Sequence, residues 1–278
     1  MVNPKSLVLS SGIQHGLEYS YPFINEVGLN AQQAGNTAEL GFYPEELEDL
    51  INKVDPAIFY GCGHGNVCIY TVECMSPFVA VPYTGPEYTC PTELRPTIFK
   101  GKHVHLLSCL TARYLGPELV STYGTKSFIG YIEEFWFGAK TPSTWPDPPP
   151  GTLPDEHTDF YTMFDADRAG IQAILNGGTP SDAIRAMINK FEYYIWRYTY
   201  GDWKDYVNAS TAIWCLEHDL RILRLYGNSS WIPLAAYTPP TLISSVPAFA
   251  SAFALSFGLV GLVMPKPSLK PPKKGERR

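Results

Sequence analysis

Short apolar runs that stop at glycine, histidine or cysteine divide this chain into candidate strands. Residues 57–60 are followed by Gly61-Cys62-Gly63-His64-Gly65, and residues 103–107 are followed by Ser108-Cys109. Runs of this length that are bounded by Gly or Pro are typical of central strands in a parallel sheet. Because ligands bind just beyond the carboxyl ends of such strands, we expect His64 and Cys109 to meet in one crevice.

The order of the remaining elements predicts an α/β fold with a mainly parallel sheet, in the form of a three-layer α/β/α sandwich. We expect strands near residues 6–11, 57–61, 103–108, 127–131 and 221–226. Helices are expected near residues 44–53, 115–123, 165–175, 179–197 and 210–218, with Thr179 as an N-cap and Pro180 at the first helical position. Residues 1–238 are expected to form one domain.

Composition and charge narrow the class of function. Hydrophobic residues make up 45% of the 278 residues, which is enough for a large buried core. The net charge is −6, but residues 265–278 contain six of the 21 basic residues and one of the 27 acidic ones. The rest of the chain therefore has 15 basic and 26 acidic residues, a net charge of −11. An acidic body is a poor binder of nucleic acid, so no nucleic-acid partner is expected.

The C-terminal region has the composition of a membrane anchor. Residues 241–264 contain no charged residue and are followed by the basic tail 265–278. Because about 20 apolar residues span a bilayer, the stretch 239–264 predicts a single transmembrane helix. The alternative is an apolar tail that packs on the domain or on a partner. A tail anchor places the body in the cytoplasm, which we take as the first expectation, whereas the basic tail favours the opposite orientation.

The six cysteines show no repeated spacing and no C-x-x-C pair. A disulfide scaffold is not expected in a chain of this size, although one or two bridges remain open. No pair of cysteines or histidines has the spacing of a zinc finger, so we expect neither a metal nor a cofactor.

Four segments together resemble the caspase–gingipain superfamily of cysteine peptidases, and its gingipain-like branch in particular. They are Tyr60-Gly-Cys-Gly-His64-Gly65-Asn66, Ser108-Cys109-Leu-Thr-Ala112, Thr125-Lys-Ser-Phe-Ile-Gly130 and Arg221-Ile-Leu-Arg-Leu-Tyr-Gly227-Asn228. The resemblance covers roughly residues 5–230. The chain departs from the family pattern at Ala112, where the family has glycine, and at Asn228, where it has aspartate.

The resemblance implies a cysteine endopeptidase with a Cys-His dyad. Cys109 corresponds to the nucleophile and His64 to the proton donor, and the N–H groups of Gly65 and Cys109 correspond to the oxyanion hole. A cysteine at a strand end just before a helix is also expected to have a lowered pKa. Glu133 and Glu134 follow the strand at 127–131, where family members place part of the substrate pocket, and a carboxylate there selects Arg or Lys. Solvated acids on a loop are the alternative for these two residues.

Three functions remain open at this point. The chain is either a membrane-tethered cysteine endopeptidase that acts on a protein or peptide substrate, or a catalytically inactive caspase-like interaction module at a membrane. Ala112 favours the second and the intact His64-Gly65 and Ser108-Cys109 pairs favour the first. A structural or virion protein is the third alternative, and a buried structural role is the alternative for Cys109 itself.

Overall fold

The computed structural model describes residues 3–12, 19–86, 88–137, 159–206 and 208–230. Eleven strands lie in these ranges: β1 (Asn3–Ser10), β2 (Thr37–Gly41), β3 (Pro56–Cys62), β4 (His64–Gly65), β5 (Ile69–Thr71), β6 (Pro77–Ala80), β7 (Tyr83–Thr84), β8 (Thr89–Cys90), β9 (His103–Leu107), β10 (Ser127–Tyr131) and β11 (Leu223–Gly227). Six α-helices accompany them: α1 (Tyr21–Gln33), α2 (Pro44–Val54), α3 (Leu115–Ser121), α4 (Asp159–Leu175), α5 (Pro180–Thr199) and α6 (Ala209–Ile222).

Six of the strands form a mixed, mostly parallel central sheet in the order β11-β10-β9-β3-β1-β2. Only β11 runs antiparallel, against β10, while the other neighbours pair in parallel. All five predicted strands are present, and the predicted α/β class is confirmed. The edge strand β2 is an addition that the sequence did not predict. In this order β3 and β9 are adjacent, with Cys62 opposite Leu107, so their carboxyl ends meet at one edge of the sheet.

The central strands bury side chains on both faces, and successive residues enter different cores. In β3, Ile58 and Tyr60 belong to a core that also contains residues of α1, α4, α5 and α6. Phe59, between them, belongs to a second core that contains residues of α2 and α3. Helices therefore pack on both faces of the sheet, which explains why these strands are rich in apolar residues.

Local sequence explains where the helices begin. Helix α5 starts at Pro180 after the N-cap Thr179, as predicted. The side chain of Asp182 accepts the Thr179 N–H at 2.8 Å, and the Asp182 N–H donates to the Thr179 hydroxyl at 3.2 Å. This reciprocal pair forms a capping box. Helix α4 begins six residues earlier than predicted, at Asp159, and ends at Leu175 as predicted.

An irregular excursion follows β3. It contains a three-stranded antiparallel sheet, β4-β5-β6, and a separate hairpin of β7 and β8. A disulfide joins Cys68, in the turn before β5, to Cys90 at the end of β8. Loss of a native bridge typically destabilises a small domain by about 2–5 kcal/mol, so this bond is a substantial part of what holds the excursion in place.

No helix of the residues described above is long and apolar enough to cross a membrane. The predicted anchor at 239–264 and the basic tail at 265–278 lie outside those residues.

Candidate active site

His64 lies on the hairpin that begins directly after β3. The N–H of Gly63 donates to the carbonyl of Leu107 at 3.2 Å, which ties the start of this hairpin to the end of β9. The side chain of Asn66 then closes the turn by accepting the N–H groups of Cys68 and Ile69 at 2.9 and 3.0 Å. His64 is half-buried, and its carbonyl accepts a hydrogen bond from Thr71. Its backbone position is therefore fixed at the carboxyl edge of the sheet.

Cys109 lies on a tight turn directly after β9. The N–H of Leu110 donates to the carbonyl of Glu133 at 3.0 Å, and the N–H of Ala112 donates to that of Tyr131 at 3.0 Å. Leu110 has a φ of 62°, in the left-handed region. These bonds fasten the turn to the end of β10 and leave the Cys109 side chain half-buried.

Gly65 brings the two turns into direct contact. A Cβ atom at this position would lie 2.8 Å from the carbonyl oxygen of Cys109 and 2.6 Å from Cγ2 of Thr111, and closer still to the hydroxyl of Ser108. The backbones of the His64 and Cys109 segments can approach this closely only because residue 65 has no side chain. The structure thus places both predicted residues on touching segments at the same sheet edge.

The N–H of Gly65 points away from β5. Asn66 donates its N–H to the carbonyl of Ile69, and the next pair along the hairpin is Gly65 with Tyr70. Because hydrogen-bonded and non-hydrogen-bonded pairs alternate in an antiparallel ladder, the Gly65 N–H is not used inside the hairpin. This geometry is compatible with its predicted role as an oxyanion donor.

The predicted lowering of the Cys109 pKa by a following helix is wrong. Helix α3 begins at Leu115, as predicted, so residues 110–114 separate Cys109 from it, whereas a helix dipole acts mainly within its first turn. Burial instead raises the pKa of the Cys109 thiol, and the charges of Glu134 and Asp219 raise it further, against a lowering contribution from the Phe135 N–H. Cys109 is therefore a neutral thiol at neutral pH, and any reaction requires a base to remove its proton.

An open cleft of about 270 Å³ lies beside the Cys109 turn. It is lined by Tyr88, Leu110, Glu133, Glu134, Trp136 and His218. Glu133 and Glu134 are exposed and lie in its wall, so the structure brings these two predicted residues to the candidate site. Of the two acids, Glu134 also acts electrostatically on the predicted nucleophile, because its charge raises the pKa of Cys109.

Two of the lining residues, Trp136 and His218, belong to an aromatic stack. The ring of Trp136 lies between Trp214, at 3.8 Å, and His218, at 4.0 Å between ring centroids. His218 Nε2 lies 2.8 Å from the carbonyl oxygen of Glu134, while its Nδ1 lies 3.2 Å from an Arg221 guanidinium nitrogen. His218 therefore donates through Nε2 and accepts through Nδ1, which fixes the chain around Glu134.

Asp219 is a buried carboxylate behind this cleft that the sequence prediction missed. One carboxylate oxygen of Asp219 accepts a hydrogen bond from the backbone N–H of Trp136 at 2.9 Å. The other oxygen has no hydrogen-bond partner within the described residues. Burial raises the pKa of Asp219 well above its ordinary value. The helical spacing of the sequence could have indicated that Asp219 is buried, because it lies on the same face of α6 as Cys215 and Ile222.

A second buried carboxylate supports the strands beneath the site. Asp167 of α4 accepts hydrogen bonds from Tyr60 at 2.9 Å, from Tyr131 at 2.6 Å and from His105 Nε2 at 3.0 Å. These three donors belong to β3, β10 and β9. The network therefore fixes, relative to α4, the three strands from which the two turns and the cleft emerge.

Four other cysteines, whose side chains the structure describes, differ from Cys109 in accessibility. Cys68 and Cys90 are joined in the disulfide, and Cys62 and Cys215 are free but buried. Burial raises the pKa of Cys62 to about 12, with a hydrogen bond from Ser20 acting in the opposite direction. Within the described part of the chain no group of three or more His, Cys, Asp or Glu residues could hold a metal ion.

Comparison with known proteins adds no assignment: no protein-family model matches the chain, and no curated protein matches it significantly.

Proposed function

We propose that this chain is a cysteine endopeptidase of the caspase–gingipain type, built on a three-layer α/β/α sandwich. The observation that carries the proposal is the contact at Gly65, which joins the His64 segment to the Ser108-Cys109 turn. The four motifs that resemble the family fall on β3 and its hairpin, on the Cys109 turn, on β10 and on β11. The mostly parallel sheet with helices on both faces is compatible with that family fold.

The proposed reaction uses the dyad in two steps. His64 takes the proton from the Cys109 thiol, and the sulfur then attacks the carbonyl carbon of the scissile amide. The negative charge on the carbonyl oxygen is stabilised by the N–H groups of Gly65 and Cys109. His64 gives its proton to the leaving amine as the C–N bond breaks, and water hydrolyses the thioester to release the acid and free Cys109.

The raised pKa of Cys109 is consistent with this sequence of events. A neutral thiol in the free protein becomes nucleophilic only when a base removes its proton, and no preformed ion pair is required. Ala112, where the family has glycine, does not hinder the turn. The left-handed residue of this turn is Leu110, whereas Ala112 is not among the described residues with positive φ.

The proposed function is tested by labelling with a peptidyl acyloxymethyl ketone, which alkylates a catalytic cysteine. We expect the wild type and a Cys215→Ala control to label, and Cys109→Ala not to label. Cys215 is a suitable control because it is free and buried. Wild-type protein that never labels would instead support a catalytically inactive interaction module.

The cleft beside Cys109 supports a preference for a basic residue before the scissile bond. Two exposed carboxylates, Glu133 and Glu134, line it, and carboxylates form charge-assisted hydrogen bonds with Arg and Lys side chains. Because exposed ion pairs contribute little, the double variant Glu133→Gln/Glu134→Gln is expected to lower kcat/KM for an Arg substrate by about fivefold. A citrulline substrate of the same shape is the neutral control and should respond little. A peptide library that favours acidic or apolar residues would contradict this role.

The membrane tether remains part of the proposal. Residues 239–264 would form the anchor and residues 265–278 a basic tail, with the domain at 1–238 acting on a protein or peptide substrate near the membrane. Removal of residues 241–278 is expected to transfer the protein from the membrane fraction to the soluble fraction, as measured by fractionation and immunoblotting. Unchanged membrane association of the truncated chain would refute the anchor.

A further inference from the structure

The hairpin of β7 and β8 contributes Tyr88 to the cleft but has little stability of its own. Each strand has two residues, which pair only with each other, and the Gly85 N–H donates to the Tyr88 carbonyl at 3.0 Å. Tyr88 is 39% exposed. Isolated two-stranded hairpins are marginally stable, so contacts with the rest of the chain must fix where Tyr88 lies.

Described contacts at its base and on both of its sides fasten this hairpin. At its base, Ala80 and Leu94 exchange two backbone hydrogen bonds of 2.9 and 3.0 Å. On the β7 side, the Tyr83 ring packs on Tyr114 at 4.6 Å. On the β8 side, which carries Tyr88, the attachment is the disulfide from Cys90 to Cys68.

The other end of this disulfide lies in the hairpin that carries His64. Cys68 is in the turn between β4 and β5, where its N–H donates to Asn66 and its carbonyl accepts the Val81 N–H at 3.0 Å. One covalent bond thus joins the histidine hairpin to the Tyr88 wall of the cleft. Both cysteines are buried, so a reductant reaches the bond only when this region opens locally.

We propose that Cys68–Cys90 is a positioning disulfide that holds Tyr88 against the bound substrate. The inference rests on the proposed peptidase function. His64 does not depend on this bond, because Gly63 and Thr71 hold its segment through hydrogen bonds to Leu107 and to His64 itself. Loss of the disulfide should therefore weaken substrate binding and leave the chemical step intact.

This role also specifies the compartment in which the domain works. Disulfides persist in oxidising environments and are rare in the cytosol. A domain whose cleft is completed by a disulfide belongs on the oxidising side of a membrane, and the basic tail at 265–278 favours the same orientation because Lys and Arg prefer the cytoplasmic side. The expectation of a cytoplasmic body is replaced by this orientation in the present proposal.

The test compares the full chain with Cys68→Ser/Cys90→Ser, with Tyr88→Ala and with Cys215→Ser as the control that keeps the disulfide. We expect KM for a peptide substrate to rise about tenfold in the first two variants, with kcat within about twofold of wild type. Adding Tyr88→Ala to the double cysteine variant should raise KM no further, because both changes remove the same contact. An unchanged KM in the folded double variant, or a loss of kcat, would overturn the positioning role.

Hydrogen exchange supplies a readout that does not need activity. Amides of residues 83–90 should exchange faster in the double variant, while those of residues 64–71 should keep their protection.

If the double variant does not fold, the wild type is treated with a water-soluble phosphine. The phosphine and water convert the disulfide to two thiols and the phosphine becomes its oxide. Unchanged exchange at 83–90 in the reduced protein would overturn the proposal. If the untreated wild type hydrolyses no peptide while exchange at 83–90 still becomes faster on reduction, the peptidase function alone is overturned.

Discussion

Peptide hydrolysis is expected to be undetectable in Cys109→Ala and to fall by ~10²–10⁴-fold in His64→Ala. The first variant removes the atom that attacks the amide, and the second removes the group that deprotonates the thiol and protonates the leaving amine. Neither side chain is fully buried, so both variants should fold. The measurement is kcat/KM with a fluorogenic peptide, together with thermal melting of each variant.

The same pair of variants separates nucleophile from proton donor when alkylation replaces hydrolysis. A reactive ketone has a leaving group that needs no proton, so His64→Ala should retain part of its labelling while Cys109→Ala loses all of it. Because burial and nearby carboxylates raise the pKa of Cys109, alkylation by a small uncharged reagent should accelerate as the pH increases through the alkaline range. Hydrolysis by Cys109→Ala at the wild-type rate would exclude the dyad.

The central strands were predictable because they are buried on both faces. Strands β3, β9 and β10 are fully buried along their length and are therefore rich in apolar residues, although β9 also buries His103 and His105. Strand β2 was missed because it is an edge strand with only Gly41 buried, and the alternation in Thr37-Ala-Glu-Leu-Gly is short and contains only one large apolar side chain. Pairing with β1 fixes its conformation, and such tertiary contacts cannot be recognised in a local pattern.

The parts of the site that follow strands directly were also predictable. His64 and Cys109 stand at the ends of adjacent parallel strands, and the rule for such sheets places them together. Helix α6 contributes His218 to the cleft and Asp219 behind it, and the irregular hairpin contributes Tyr88. No local periodicity in the sequence connects these elements with the sheet edge. The helix predicted near 115–123 is present as α3, but the lowering of the Cys109 pKa expected from it failed for a different reason. Backbone bonds to Tyr131 and Glu133 hold residues 110–112 in a turn.

Gly65→Ala is expected to lower kcat by ~10²–10³-fold, the cost typical of losing one oxyanion donor. The added methyl group would meet Ser108, Thr111 and the carbonyl oxygen of Cys109. The Ser108 and Thr111 side chains can rotate away, but the carbonyl belongs to the backbone, so the two turns must separate. Overpacking of this kind also destabilises the fold by about 1–3 kcal/mol, which a denaturant titration would measure.

Two further variants separate this effect from general destabilisation. Gly35→Ala introduces a side chain where φ is 80° but no atom lies within 4 Å, so it should reduce stability and leave kcat unchanged. Ser108→Ala in the Gly65→Ala background removes the nearest side-chain contact but not the clash with the Cys109 carbonyl, and at most a partial recovery of kcat is expected. A Gly65→Ala protein with wild-type kcat would mean that the contact between the two turns does not position the groups that act on substrate, and the proposed oxyanion hole would have to be abandoned.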